Sequence, residues 1–146
     1  MLDRLPVLHF QDDESLYRRY LPSHFQDGEL DPGAIRFDEP PSFLRSAFSI
    51  PEDALHKDCA EGQNVSHYGV LGVRVSLVQC QERVTDGRAF EFSAIHRPLS
   101  LCYAHSEIQC ICLADPVSMH TEPPKSVKRA FRLRLAKALS VEIPAP

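Results

Sequence analysis

Three groups of side chains in this sequence have the types and the spacing that binding or catalytic chemistry requires. The first is a run of cations near the C-terminus, where six of the 16 Lys and Arg residues lie between positions 125 and 137 with no acid among them. Lysine and arginine at this density bind carboxylate and phosphate groups through charge-assisted hydrogen bonds. We therefore predict a surface that binds an acidic partner. Its predicted binding residues are Lys125, Lys128, Arg129 and Arg132 in this run, and Arg18 and Arg19 near the N-terminus.

The charge of the rest of the chain leaves the kind of partner open. The remaining 133 residues hold 10 cations and 20 acids, and the whole chain has a net charge of −4. A nucleic-acid backbone would bind the cationic run with an affinity that falls steeply with salt, but the acidic body opposes such binding. A protein with an acidic face explains the charge equally well. The simplest alternative is an amphipathic helix whose cations only contact solvent.

The second group contains cysteine and histidine. Cys102, His105, Cys110, Cys112 and His120 are enough to ligate a tetrahedral zinc ion. However, the paired C-x2-C spacing of zinc knuckles is absent, and Cys110 and Cys112 have the spacing of small buried side chains on one face of a strand. The five cysteines, an odd number, also favour free thiols over a disulfide framework. We predict no bound metal and no cofactor.

The third group would suit nucleotide chemistry. Arg18 lies on the first predicted strand, Ser46 or Ser49 near the second apolar segment, and His105 and Glu107 on the last predicted strand. An arginine, a serine and a glutamate in this order resemble the pattern of many small ADP-ribosyltransferase domains. The resemblance implies that the arginine holds the dinucleotide phosphates and that the glutamate orients the attacked ribose. The alternative function is therefore a small nucleotide-using transferase or nuclease-like enzyme, with Arg18, His105 and Glu107 as its catalytic residues.

Hydrophobic periodicity predicts the elements that position these side chains. Apolar residues that alternate with period two indicate strands. The predicted strands cover 15–21, 70–84, 90–95 and 103–113, with a short fifth one at 34–37. The expected fold class is α+β, a mainly antiparallel sheet of four or five strands packed with two helices.

The first predicted helix runs from about 51 to 60. Ser49 and Glu52 have the spacing of a capping box, in which each side chain bonds a backbone N–H at the helix start. Pro51 suits the first turn, where its missing N–H costs nothing.

The second predicted helix runs from 126 to 139, with Ser126 as its N-cap. Phe131 lies at the centre of an apolar stripe with helical spacing, so we expect it to be buried. Lys128, Arg129 and Arg132 then lie on the outward side of the helix.

Length and composition indicate one domain over residues 1–146. The chain has 43% hydrophobic and 25% charged residues, which is an ordinary globular composition at a length that can form a core. Prolines and glycines predict a long loop at 22–41 and a flexible tail at 142–146. No apolar run reaches the ~18 residues that cross a membrane, and the N-terminus lacks the pattern of a secretory signal. We expect a cytoplasmic protein that does not associate with membranes.

Four segments together resemble a group of small bacterial single-domain proteins. They are Leu16–Pro22 (LYRRYLP), the apolar segment 43–50, Tyr103–Ile108 (YAHSEI) and Pro124–Arg129 (PKSVKR). In that group an arginine pair, an Ala-His segment and a late basic helix follow one another in this order. The resemblance implies a bacterial single-domain fold and no particular activity. With the charge pattern, it favours a non-catalytic interaction or accessory subunit of a bacterial multi-protein system.

Overall fold

Alternating apolar residues fold this chain mostly into β-strands. The structure, a computed structural model, describes residues 9–35, 41–56, 67–84, 86–114 and 121–146. Within these ranges the strands are β1 (Ser15–Tyr20), β2 (Phe25–Gln26), β3 (Glu29–Leu30), β4 (Ser42–Arg45), β5 (Gly69–Arg74), β6 (Cys80–Arg83), β7 (Ala89–His96), β8 (His105–Cys112) and β9 (Ser140–Ile143). The α-helices are α1 (Val75–Val78) and α2 (Lys125–Ala138).

Seven of these strands form one antiparallel sheet in the order β6-β7-β8-β4-β1-β5-β9. β2 and β3 form a separate hairpin, in which Asp27 and Gly28 adopt positive φ angles of 53° and 81°, as a two-residue hairpin turn requires. The prediction of a four- or five-stranded sheet is therefore wrong. It omitted β4 and β9, because a strand of four residues shows too few alternations to be distinguished from a loop.

The predicted strand at 70–84 is interrupted, which adds one more strand to the sheet. The single helical turn α1 separates β5 from β6. Val75 and Val78 are buried on this turn, whereas Leu77, which a continuous strand would bury together with Val75, is 50% exposed. A short apolar run fits a strand and a helical turn equally well, so periodicity could not detect the interruption.

The short connection through α1 requires the sheet to be strongly curved. β5 and β6 lie five strand positions apart in the sheet order. In a flat sheet that separation would be about 24 Å, at roughly 4.8 Å per strand. The five residues between the two strands reach at most about 22 Å when fully extended, and much less through a helical turn. The sheet therefore curls, and α1 packs against both β5 and β7.

The helix predicted at 51–60 is wrong within the described residues. A 3-10 turn at Pro51–Leu55 takes its place, and 57–60 lie outside those residues. Ala54 is the buried residue of this turn. One small buried side chain offers too little apolar surface to stabilise a longer helix, since helices in proteins depend mainly on the packing of an apolar face.

The start of that turn also differs from the predicted capping box. The carboxylate of Asp53, rather than Glu52, accepts a hydrogen bond from the backbone N–H of Ile50 at 2.9 Å. Ser49 instead donates its hydroxyl to the carbonyl oxygen of Arg45 at 2.7 Å. The sequence spacing of a capping box was present, but the chain uses the tighter 3-10 geometry.

The second predicted helix is confirmed to within one residue at each end. Its N-cap is Pro124, without a side-chain cap, so the predicted cap at Ser126 is wrong. Phe131 is fully buried, as expected, and its ring stacks on that of Phe92 in β7 with centroids 3.9 Å apart and planes 3° apart. This stack attaches α2 to β7, and the helix also packs against β6 and the 3-10 turn at 32–34.

The C-terminal tail, expected either to be frayed and flexible or to dock on the domain as a strap, contacts the sheet. β9 pairs with β5 at the sheet edge, and the N–H of Ala145 donates to the hydroxyl of Tyr20 at 3.0 Å. β9 can pair with another strand because it contains apolar and β-branched residues. The prolines that follow it argue against a strand, so this strand was not predicted from the sequence.

The predicted long loop at 22–41 has internal structure. It contains the β2–β3 hairpin and 3-10 turns at 22–24 and 32–34, and 36–40 lie outside the described residues. The predicted short strand at 34–37 is thus only partly described, and Ala34 ends a 3-10 turn there. Ile35 is buried in the main core, which anchors this connection on the domain.

The strand registers divide the side chains between two faces of the sheet. Successive side chains of a strand point to opposite faces, and residues paired across strands share a face. Phe92 therefore defines the face that α2 covers, which we call the inner face; the other is the outer face. The inner face carries most of the core, including Leu16, Phe43, Phe92, Ile108 and Cys110.

Candidate functional site

The helix α2 buries one side and exposes the other. Its buried side consists of Val127, Phe131 and Leu135. Its exposed side carries a row of every fourth residue, which we call the basic stripe: Lys125, Arg129, Leu133 and Lys137. At a rise of about 1.5 Å per residue the basic stripe is roughly 18 Å long.

The basic stripe combines charge with an apolar contact. Lys125, Arg129 and Lys137 are exposed and form no ion pair within the part of the chain that the structure describes. Leu133 lies between two of these cations and is 47% exposed. A surface of this kind can receive acidic side chains next to an apolar one.

The other cations of α2 interact within the protein. Lys128 forms an ion pair with Glu122, and Arg134 pairs with Glu82 of β6 at 2.6 Å. Arg132 is half-buried and also interacts with its surroundings. Of the three cations expected on the outward side, Lys128, Arg129 and Arg132, only Arg129 is exposed. Helical periodicity predicts on which side of the helix a residue lies. Which of the cations form ion pairs depends on the acids that neighbouring segments bring close to them.

A cleft of about 400 Å³ lies beside the first turn of α2. Arg88, Lys125 and Lys128 contribute cations to its lining, Glu122 contributes an acid, and Phe90 contributes an apolar surface. Arg88 has no signal in the sequence that links it to α2, because it precedes β7 and only the folded sheet brings it next to the helix. Two of these cations already form ion pairs, Arg88 with Asp86 at 2.8 Å and Lys128 with Glu122.

Arg18 and Arg19, predicted to bind together with the helix, point to opposite faces of the sheet. Arg18 shares the inner face with Leu16, and Arg19 lies on the outer face with its guanidinium carbon 5.2 Å from the ring centroid of Tyr68. The basic stripe faces away from the sheet. The structure therefore does not bring the arginine pair and the basic stripe into one surface.

Arg18 has an unusual environment. Its guanidinium carbon lies 5.3 Å from the ring centroid of Phe43, and its Nη1 atom is buried without a hydrogen-bond partner among the described residues. Burial lowers the pKa of the Arg18 guanidinium, because a charge loses the solvation of water there. Arginine is effectively always charged, so Arg18 remains a cation.

The residues of the alternative enzyme do not converge. His105 and Glu107 lie on the outer face of β8, whereas Arg18 lies on the inner face. The Nδ1 atom of His105 is 2.7 Å from the carbonyl oxygen of Arg97, and the Glu107 carboxylate is 3.6 Å from Nε of the same arginine. Both side chains thus join β8 to the end of β7.

The two serines of that pattern also have structural partners. Ser46 accepts a hydrogen bond from the N–H of Ser15 at 2.8 Å. The hydroxyl of Ser49 donates to the carbonyl oxygen of Arg45 at 2.7 Å. Among the described residues, the ADP-ribosyltransferase-like arrangement is therefore not assembled.

The cysteines lie apart from any cluster of metal ligands. Within the described ranges no three His, Cys, Asp or Glu side chains converge, and His120 lies outside those ranges. Cys102 and Cys110 are buried cysteines. Burial first, and then the neighbouring Cys112 and Cys80, raises the pKa of Cys110 to about 12. Such a thiol stays protonated at neutral pH and is a poor nucleophile. The absence of a bound metal remains a prediction.

The inner face contains a buried ion pair that was not predicted from the sequence. Arg45 and Glu14 are 1% and 6% exposed, and two hydrogen bonds of 2.7 and 2.9 Å join them. The guanidinium of Arg45 also donates to the carbonyl oxygen of His9 at 3.1 Å and lies 3.9 Å from the ring centroid of Phe10. Glu14 ends an acidic run typical of a solvated loop, so no local signal linked it to Arg45.

His96 lies next to this ion pair in an aromatic cluster. Its ring centroid is 5.7 Å from that of Phe48 and 5.0 Å from that of Tyr103. Both of its ring nitrogens are buried without a hydrogen-bond partner in the described part of the chain. Burial, followed by the charge of Arg45, lowers the pKa of His96, and Glu14 opposes the shift.

We expect this protein to lose stability as the pH falls below about 6.5, the ordinary pKa of histidine. The unfolded state binds a proton at His96 that the folded state resists, so the free energy of unfolding decreases through this range. His24, whose pKa burial also lowers, adds to the effect. Urea unfolding of the wild type and of His96→Phe between pH 7.5 and 5 measures the contribution of His96. The variant should show the smaller loss, and an identical loss would contradict the assignment.

The comparisons with known proteins add no family to these observations. No protein-family model, no curated protein and no solved structure matches this chain. In the described part of the chain, no helix is long and apolar enough to cross a membrane. The function is therefore inferred from the chemistry of the described side chains alone.

Proposed function

We propose that this protein is a non-catalytic interaction or accessory subunit of a bacterial multi-protein system, which binds an acidic protein partner through the basic stripe of α2. The observation that carries the proposal is the row of exposed cations Lys125, Arg129 and Lys137, which form no ion pair with any described residue and lie on a helix without acids. The phenylalanine stack holds this helix against the sheet, so the stripe is a rigid surface.

Two features favour a protein over a nucleic acid as the partner. Leu133 interrupts the cations with an exposed apolar side chain, which suits an apolar residue of a protein and has no counterpart in a phosphate backbone. The stripe is also short, at roughly 18 Å, and the body that carries it has 20 acids in total. The negative charge of this body repels a long nucleic acid. A small acidic patch on a protein partner can contact the stripe without approaching the rest of the domain.

The state of the cysteines supports the expected cytoplasmic location. Among the described residues, Cys80, Cys102, Cys110 and Cys112 form no disulfide. Reduced cysteines are typical of the cytoplasm, where thiol buffers maintain them. The enzyme alternative has no comparable support, because its residues lie on opposite faces of the sheet.

The test is a pair of charge-matched variants. Arg129→Glu with Lys137→Glu reverses two cations of the basic stripe without removing a core contact. The control, Arg74→Glu with Arg83→Glu, reverses two exposed cations elsewhere and changes the net charge equally. Each protein is used as bait in extracts of the source organism, and captured proteins are quantified by mass spectrometry.

We expect wild type and control to capture the same acidic protein, and the stripe variant to lose most of it, because like charges now meet across the contact. Raising the salt concentration should weaken capture by the wild type, since exposed ion pairs are screened beyond ~8 Å at physiological ionic strength. Equal capture by the stripe variant would refute the stripe as the binding surface. Tight binding of a 20-base-pair duplex that the stripe variant loses would refute the choice of a protein partner.

A further inference from the structure

Exposed apolar side chains are concentrated in two segments of the described chain. Phe48 and Ile50 follow β4, and Leu99, Leu101 and Tyr103 lie in the connection between β7 and β8. These five side chains, which we call the apolar patch, are between 39% and 64% exposed. They are more than half of the large apolar side chains that are exposed among the described residues. Single exposed apolar residues are ordinary, but a group of them is typical of an interaction surface.

Ring contacts join the two segments of the apolar patch. The ring centroids of Phe48 and Tyr103 are 4.9 Å apart, and the ring of His96 lies 5.7 and 5.0 Å from them. The backbone connects the same segments, since the N–H of Arg45 at the end of β4 donates to the carbonyl oxygen of Ala104 at 2.9 Å. Phe48 and Tyr103 therefore form one surface, although they lie far apart in the sequence.

The turn before Tyr103 is fixed by its own hydrogen bonds. The N–H of Leu99 donates to the carbonyl oxygen of Cys102 at 2.9 Å, and the N–H of Cys102 donates to the carbonyl oxygen of Leu99 at 3.1 Å. Cys102 is buried, whereas Leu99 and Leu101 are 55% and 64% exposed. Because the backbone of this turn is already ordered, little backbone entropy is lost when a partner covers the two leucines.

The absence of charge in these segments indicates what can cover the patch. Neither 46–51 nor 98–104 contains Lys, Arg, Asp or Glu, although 25% of the chain is charged. A two-fold symmetric dimer brings the same surface of both copies together, so charges of one sign in that surface would repel each other. The basic stripe cannot pair with itself for this reason. The apolar patch can, because it contains no charge that would meet its like.

We propose that the apolar patch is the interface of a homodimer, in which it packs against the same patch of a second copy of this chain. A large apolar side chain buries roughly 200 Å² when it is enclosed, so five that are about half exposed offer on the order of 500 Å² per copy. Two copies then bury about 1,000 Å², the lower limit of a specific interface, before a polar rim is included. We therefore expect a weak, reversible dimer. No residue of the patch lies on α2, so this inference does not rest on the proposed acidic partner.

The first test measures the mass of the protein by sedimentation velocity from micromolar to near-millimolar concentration. The wild type should change from monomer to dimer over this range. Leu101→Asp should weaken the dimer at least about tenfold, because like charges then meet across the contact. The matched control is Leu77→Asp, which makes the same charge change at a leucine that is 50% exposed on α1 and should dimerise as the wild type does. Circular dichroism should show both variants folded, since both leucines are at least half exposed.

The second test mixes two variants. Leu101→Lys should also weaken the dimer, but an equal mixture of Leu101→Asp and Leu101→Lys should associate more strongly than either variant alone, because opposite charges now meet. Added salt should strengthen the wild-type dimer, since it screens the repulsion between two molecules of net charge −4. Salt should weaken capture by the basic stripe instead, so the two proposals can fail separately.

Three results would overturn the homodimer. The first is a wild type that stays monomeric at every concentration, including one that binds phosphatidylcholine vesicles as a monomer, which would assign the patch to a lipid surface. The second is a Leu101→Asp variant that dimerises as tightly as the wild type. The third is a mixture of the two charged variants that associates no better than its components.

Discussion

Phe131→Ala should remove a large part of the free energy of unfolding of this protein. Phe131 is 0% exposed, stacks on Phe92 and is the central residue of the buried side of α2. Truncating a buried phenylalanine to alanine costs about 3–5 kcal/mol, because the apolar contacts are lost and a cavity remains. The whole free energy of unfolding of a domain is about 5–15 kcal/mol. Circular dichroism and urea unfolding measure the loss.

The matched control for this experiment is Leu133→Ala on the exposed side of the same helix. It removes a similar apolar side chain that is 47% exposed and should change the free energy of unfolding by less than about 0.5 kcal/mol. The two variants together separate the packing of α2 from its helix propensity. A Phe131→Ala protein with the melting temperature of the wild type would show that α2 does not pack on the sheet as described.

Glu14→Gln should cost about 3–5 kcal/mol of the free energy of unfolding, because it leaves the buried guanidinium of Arg45 without a counter-ion. The amide of glutamine has nearly the shape of the carboxylate and leaves no cavity. The decrease in the free energy of unfolding therefore measures the effect of removing the negative charge. Both hydrogen bonds between the two side chains involve this carboxylate, at 2.7 and 2.9 Å. Urea unfolding at pH 7 gives the measurement.

A double variant distinguishes this effect from general disruption. Glu14→Leu combined with Arg45→Met replaces the ion pair with apolar side chains and should be far less destabilising than Glu14→Gln alone, since no unpaired charge remains buried. The four proteins of the corresponding double-mutant cycle give the coupling energy of the pair. A coupling energy near zero would mean that the ion pair does not hold Glu14 in the sheet.

Long periodic elements of this fold were predictable from local sequence. β1, β7, β8 and α2 each have enough apolar residues on one face for the period to be recognised. The turn at Asp27–Gly28 lies within the predicted loop at 22–41, and its residues tolerate the positive φ angles found there. The short elements were not predictable: β4 and β9 were missed, and 51–55 was taken for the start of a longer helix. Their conformation depends on the strands with which they pair.

Some properties of the candidate site were likewise predictable from the sequence, and others were not. The sequence by itself determined that the helix has a buried stripe around Phe131 and carries unopposed cations, since both properties follow from helical period and residue type. Which cations remain unpaired was decided only by tertiary structure, because Glu82 reaches Arg134 from β6, a strand far away in the sequence. The separation of Arg18 from Arg19 follows from strand alternation once β1 is known to be a strand. The isolation of Arg18 and the pairing of Arg45 with Glu14 could not be read from the sequence, since a buried charge is defined by its neighbours from other strands and not by its own position in the chain.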